Sequence, residues 1–142
     1  IQHLCAANIQ QLEFIKDEVL KKRAHHVITE NERVDKAVAA LKSKNMIAFG
    51  KLLTESHQSL KHDYEVSGFE LDTLVDAAIQ TKGCVGARMT GAGFGGCAIA
   101  LVEKTKAEFF EEKVLKQYKA KTEIEGEMHP CYVSEGVSLL PE

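Results

Sequence analysis

Apolar residues recur at helical intervals through the first half of the chain, and beyond Gly83 the period shortens to that of strands. Leu4, Ile9, Leu12, Ile15 and Val19 stand at roughly helical spacing, while Lys16, Asp17, Lys21 and Lys22 fill the solvated side. Residues 1–20 therefore read as one amphipathic helix. Val34, Ala37, Val38 and Leu41 at i, i+3, i+4 and i+7 predict a second helix, broken by Ser43-Lys44-Asn45. Asn45 is the expected N-cap of a third, with Met46, Phe49, Leu52, Leu53 and Leu60 on its inner face. Gly50 inside it costs about 1 kcal/mol against alanine, which marks a place of close packing. Residues 63–68 read as irregular. Ser67 and Glu70 form a capping-box pair ahead of a fourth helix, built on Leu71, Leu74, Val75, Ala78 and Ile79 and ending at Gly83.

Residues 84–89 and 97–102 are short apolar runs rich in strand formers, and they flank a cluster of glycines. Thr105 with Glu108 is a second capping-box pair, opening a helix whose apolar face is Phe109, Phe110, Val114 and Tyr118. Residues 128–134 alternate weakly and predict a last strand, pushed to an edge by Pro130. Four helices, then strand, strand, helix, strand, define an α+β domain with a small, mainly antiparallel sheet packed with about five helices.

The chain has 142 residues, 44 % hydrophobic and 27 % charged, with net charge −3. That is one domain's worth of a folded chain rather than a disordered one. No basic run or arginine-rich helix favours nucleic acid. No apolar stretch approaches the roughly 20 residues of a membrane span, and no signal layout opens the chain, so a cytoplasmic setting is expected. Cys5, Cys84, Cys97 and Cys131 contain no Cys-x-x-Cys pair, which leaves four buried reduced thiols as the expectation. The first residue is Ile1 and a helical pattern is already running there, so the chain reads as a piece of a longer polypeptide.

Chemistry concentrates in Gly91-Ala92-Gly93-Phe94-Gly95-Gly96. These residues match the dinucleotide fingerprint G-x-G-x-x-G, but that fingerprint needs a helix after the glycines, and here an uncapped, strand-like run follows. The Gly-Lys-Ser/Thr ending of a P-loop is also missing. A glycine loop between two strands has other uses: it permits positive φ, lets backbone approach a ligand closely and forms small N–H concavities for anions. A tight hairpin needs at most two glycines. So dense a cluster points to a functional loop that helps close a phosphate site.

Other polar groups carry competing readings. His25 and His26 are adjacent, so on a helix they diverge by about 100° and do not share one metal ion; a structural role is expected. Ser56 directly precedes His57 without a paired acid, which argues against hydrolase chemistry. Residues 63–67 are either a binding strip, or a loop docked by Tyr64 and Val66 with Ser67 as a helix cap. Arg88 either offers a cation to phosphate or pairs with a carboxylate such as Glu30.

The run Arg88-Met89-Thr90-Gly91-Ala92-Gly93-Phe94-Gly95-Gly96-Cys97 resembles the third motif of the GHMP small-molecule kinases, in the form typical of galactokinases. Thr29-Glu30-Asn31 with Arg33, Ser56-His57-Gln58-Ser59-Leu60, residues 63–67 and Glu70-Leu71-Asp72 with Leu74-Val75 resemble galactokinase C-terminal segments in the same order. The likeness runs from about Leu4 to Val133. It implies a ferredoxin-like GHMP kinase C-terminal domain over residues 1–142, with the N-terminal ATP-binding half absent. It also implies transfer of the γ-phosphate of ATP, with Mg²⁺, to the anomeric hydroxyl of galactose, giving galactose 1-phosphate at the entry to the Leloir pathway. The family's serine-rich nucleotide motif, catalytic Asp and Arg belong to the N-terminal half and have no counterpart here. Gly91, Ala92, Gly93, Phe94, Gly95 and Gly96 are then the nucleotide-site residues of this half, none of its residues is catalytic, and the chain alone is expected to be inactive. Two alternatives carry different expectations: a GHMP kinase for another sugar or a mevalonate-type alcohol, and a free-standing ferredoxin-like anion-binding module.

Overall fold

In the computed structural model, which describes residues 3–134, the opening residues form two 3₁₀ turns, Leu4–Ala6 and Ile9–Phe14, in place of the expected helix. The reason lies at Asp17, whose carboxylate accepts the Leu20 N–H at 2.9 Å and caps a new helix, α1, over Glu18–Lys42. The apolar residues of the turns fold back instead of continuing: Leu12, Ala7 and Ile15 pack on Ala24 and Ile28 of α1. α1 runs unbroken through the region expected to hold a second helix. Val34, Val38 and Leu41 form an exposed stripe on it, not a core face.

Lys44, with φ 55°, takes the left-handed conformation that ends α1. Asn45 then caps α2 (Met46–Ser59) as expected, its side chain accepting the Ala48 N–H at 3.0 Å. A π-turn over Leu60–Tyr64 continues α2 into residues expected to be irregular, and it ends at Glu65 with φ 58°. α3 spans Phe69–Gln80. Its cap is the extended Gly68, so Ser67 lies one residue too early and the expected box does not form. Glu70 and Asp72 in the first turn still favour the positive end of the helix dipole.

Strands β1 (Cys84–Thr90) and β2 (Cys97–Val102) pair antiparallel, with Thr90 opposite Cys97 and Ala87 opposite Ala100. A 3₁₀ turn at Lys104–Lys106 leads into α4 (Ala107–Thr122), capped at Lys106. Thr105 is absorbed in that turn, so the second capping box is also not made. The turn is held to the connection between α3 and β1: the Glu103 N–H donates to the Gly83 carbonyl at 2.9 Å. Residues 128–134 form no strand, and among the described residues the sheet has two strands. Pro130 removes one backbone donor from that segment, and Tyr132 and Val133 stand exposed instead of seating in a sheet face. The α+β class and the small antiparallel sheet are as expected.

The main core joins α3, α4 and the sheet through Val75, Ala77, Ala78, Ala87, Phe110 and Val114. Phe109, assigned to the same face of α4, is exposed. A smaller cluster of Leu60, Leu71, Met89 and Val66 lies under the β1–β2 loop. Cys84 is half-buried and burial pushes its thiol pKa up, but Cys97 and Cys131 are exposed, so the expectation of four buried thiols fails at both. Cys97 opens β2 beside the glycine loop and Cys131 lies in the irregular segment after α4, both at the surface. No helix among the described residues is long and apolar enough to cross a membrane.

α2 lies on β1 at backbone distance. A Cβ on Gly50 would sit 2.1 Å from the Val85 carbonyl oxygen, and one on Gly86 would sit 1.9 Å from the Gly50 carbonyl oxygen. The β-register shifts between Cys84 and Gly86, where α2 crosses. Because backbone cannot give way as a flexible side chain can, Gly50→Ala should destabilise the chain by about 3 kcal/mol or more, at or above the usual range for overpacking. Urea unfolding of the variant checks this, and a midpoint equal to wild type would rule the contact out as a constraint.

Candidate functional site

The six residues between β1 and β2 turn through a run of positive φ: Gly93 at 88°, Phe94 at 59°, Gly95 at 140° and Gly96 at 96°. Phe94 is the exception among glycines, and its backbone is held there by a bond from its N–H to the Val66 carbonyl at 2.8 Å. Gly93 makes that approach possible. A Cβ at Gly93 would lie 1.9 Å from the same carbonyl oxygen and 2.9 Å from the Met89 methyl. The Phe94 ring points outward and is exposed. Around Gly91, Gly95 and Gly96 an added Cβ would meet nothing within 4 Å, so on that side the loop is open to a ligand. A cleft of about 370 Å³ adjoins it, lined by Phe94, Gly95 and Gly96 with Glu70, Leu74 and Tyr118.

The strip at 63–67 is what the loop rests on. Val66 is half-buried in the small cluster with Leu60, Leu71 and Met89, and its N–H donates to the Leu60 carbonyl at 3.1 Å. Glu65, in the left-handed conformation, is held by Arg23 of α1, whose Nη2 donates to Oε2 at 2.6 Å while Nη1 reaches the Asp63 carbonyl. That hydrogen bond, with the guanidinium charge, keeps the Glu65 carboxyl below its ordinary pKa. Tyr64 stacks on His26 with ring centres 4.6 Å apart. Buried His26 also bonds Ser59 at 3.0 Å, and Ser59 donates to Asp63, which in turn meets His25. Both adjacent histidines are thus structural partners of this strip. Val66 docks it, as one reading had it, whereas Ser67 does not cap α3.

A second polar cluster braces β1 just before the loop. Glu30 of α1 accepts from Arg33 Nε at 2.8 Å, from Arg88 Nη1 at 3.2 Å and from the Ser56 hydroxyl at 2.5 Å. Arg88 is therefore paired with the carboxylate that one reading named. Burial acts to raise the Glu30 pKa, but the Ser56 and Arg33 hydrogen bonds and the charges of Arg33 and Arg88 outweigh it and hold it below the ordinary value. Ser56 spends its proton on Glu30, and neighbouring His57 points elsewhere, to Met89 and Asp72. The pair does not assemble as nucleophile and base.

Residues 37–120 match the family model for the C-terminal domain of GHMP kinases. The chain belongs to that family. It is 53 % identical over 126 residues to the galactokinase of Staphylococcus carnosus, covering 89 % of this chain and 32 % of that protein. It is 52 % identical over 122 residues to the galactokinase of Clostridium tetani, covering 83 % of the chain and 31 % of the relative. The solved structure of Lactococcus lactis galactokinase complexed with galactose superposes with a TM-score of 0.84 at 45 % identity, covering 88 % of this chain and 33 % of that one. The chain spans about a third of the length of the curated relatives it matches.

The glycine loop is legible in the sequence, and so is Val66 as a docking residue of the 63–67 strip; the bond from the Phe94 N–H to the Val66 carbonyl and the brace from Arg23 are not. Val66 acts through a carbonyl that every residue carries, so the available signal was Gly93 itself, which implies a close neighbour without naming it. Two outcomes follow. Gly93→Ala should expel the loop from Val66 and remove protection from the Phe94 amide in hydrogen exchange; a Phe94 amide as slow as in wild type would contradict the contact. Burial lowers the pKa values of His26 and His57, so the unfolded chain takes up protons more readily than the folded one. Stability should therefore hold above pH 7 and fall as pH drops through the unfolded histidine value near 6.5, the loss levelling off below the folded values. The Glu30 contribution, complete above the ordinary carboxyl range, drains at still lower pH. Urea midpoints that are flat from pH 7.5 to pH 5 would contradict these directions.

Proposed function

We propose that this chain is the C-terminal domain of an ATP-dependent galactokinase, and that Gly91, Ala92, Gly93, Phe94, Gly95 and Gly96 contribute to its nucleotide and phosphate site. The observation that carries the reading is the 45 % identical match to a galactokinase bound to galactose, with a strand-loop-strand glycine segment in this chain suited to close approach. In this proposal the reaction moves the γ-phosphoryl group of ATP to the C1 hydroxyl of galactose. Such a transfer is driven by positioning and charge stabilisation rather than by covalent chemistry from the protein.

The residues present fit a share of that work. The loop offers backbone N–H groups, an open glycine surface and no Cβ to hinder a phosphate, and it is fixed by Val66 and the end of β1. It offers no lysine and no carboxylate at the glycines. Among the described residues no group of three His, Cys, Asp or Glu is placed to hold a metal ion. In this proposal Mg²⁺, the main nucleotide cradle and the catalytic Asp belong to the N-terminal domain, the partner that completes the site. When bound, Mg²⁺ would offset charge on the phosphates. What this domain does is hold its loop rigid at the phosphate end and narrow the room for water.

Three measurements test the proposal. The purified chain mixed with ATP and galactose should give no turnover, and galactose-dependent ADP release above a blank would overturn the division of labour. A chimera in which the chain replaces the matching third of the Staphylococcus carnosus relative should phosphorylate galactose in preference to N-acetylgalactosamine. Gly93→Ala in that chimera should lower kcat by about 100-fold, the order expected from a misplacement of about 1 Å. A folded chimera with no galactose activity would refute the assignment.

A further inference from the structure

At Met89 the free edge of β1 is closed by side chains, not by another strand. The Met89 N–H donates to Nδ1 of His57 at 3.4 Å, and the Met89 carbonyl accepts from Nε of Arg88 at 3.0 Å. His57 is fully buried. An imidazole nitrogen that accepts a hydrogen bond carries no proton, so in the neutral ring the proton sits on Nε2. That nitrogen faces Oδ1 of Asp72 at 3.4 Å, and neither atom has a hydrogen-bond partner among the described residues. The other Asp72 oxygen meets Nζ of Lys61 at 3.1 Å. A buried imidazole that spans a helix, a strand end and a carboxylate needs a reason, since unsatisfied buried polar atoms are costly.

We propose that His57 is a positioning residue for the glycine loop: neutral, with its proton on Nε2, it holds the Met89 N–H and so fixes the end of β1 from which the loop springs. Met89 transmits this directly, because its methyl is one of the two surfaces against which Gly93 is pressed, the other being Val66. Protonation of His57 would set a donor against a donor at Met89 and release that end. Four charged groups bear on it. Asp72 and Asp76 of α3 favour the charged ring, Lys61 of the π-turn and Arg88 of β1 oppose it, and burial is the largest influence, also against charge. The functional weight of the proposal rests on the loop serving phosphate, but its test reads the loop without nucleotide, so the two ideas fail separately.

The test uses the 142-residue chain. Long-range ¹H–¹⁵N correlation of the His57 ring at neutral pH should show the Nε2–H tautomer, and an Nδ1–H ring would overturn the proposal. His57→Asn places its side-chain oxygen near the position of Nδ1 and should keep amide exchange at Met89 and Phe94 within about threefold of wild type. His57→Gln loses that acceptor and should speed exchange at both amides by about tenfold or more relative to the Val114 and Tyr118 amides of α4. Equal acceleration at the loop and at α4 in both variants would mean a merely structural role and would overturn the proposal. Should His57→Gln fail to fold, the tautomer and the His57→Asn rescue decide.

Discussion

The approach of α2 to β1 at Gly50 and Gly86 brings a helix backbone against a strand backbone with no side chain between them. Everything near the glycine loop depends on how close that approach is. α2 carries Ser56 and His57 about two turns further on, and only from this distance does Ser56 reach Glu30 and His57 reach Met89. A methyl group at either glycine would push α2 off the strand. The polar bonds that finish β1 would then stretch beyond useful length, because hydrogen bonds weaken steeply with distance and angle.

From there the chain of support runs outward to the surface. β1 is braced by Glu30 and Arg88 and closed by His57, Met89 presents its methyl to Gly93, and Gly93 in turn allows Phe94 to bond Val66. Val66 is itself set by the left-handed Glu65, which Arg23 holds from α1. The loop is thus a rigid feature although most of its residues are exposed. That suits the phosphate-site role proposed for it, since a small error of position there would cost much of the rate. The exposed glycines supply room, and the buried contacts supply position.

Legibility in the sequence followed the range of each interaction. The caps at Asn45, the two strands, the α+β class and the glycine loop are signalled by residues close together in sequence, and each appears in the structure. Gly50 was legible as a point of close packing because glycine in a helix is otherwise a local cost. The capping boxes at Ser67 and Thr105 do not form for a different reason: the pattern of residue types fits a box, but each helix begins one residue later, after Gly68 and after Lys106. The strand at 128–134 was read from alternation alone, and alternation without a neighbouring edge makes no sheet.

By itself, the sequence determined that a glycine loop joins two strands in an α+β domain, because glycine clusters and local periodicity are properties of the covalent chain, and the residues of that loop carry the resemblance to the GHMP kinases. The tertiary structure decided which carbonyl Gly93 leaves room for, which carboxylate Arg88 finds and which nitrogen of His57 carries the proton. Those outcomes join residues 27 (Gly93 and Val66) to 58 (Arg88 and Glu30) positions apart, or rest on a backbone group with no residue-type signature. No local pattern encodes them, since their energy exists only once α1, α2 and β1 have packed together.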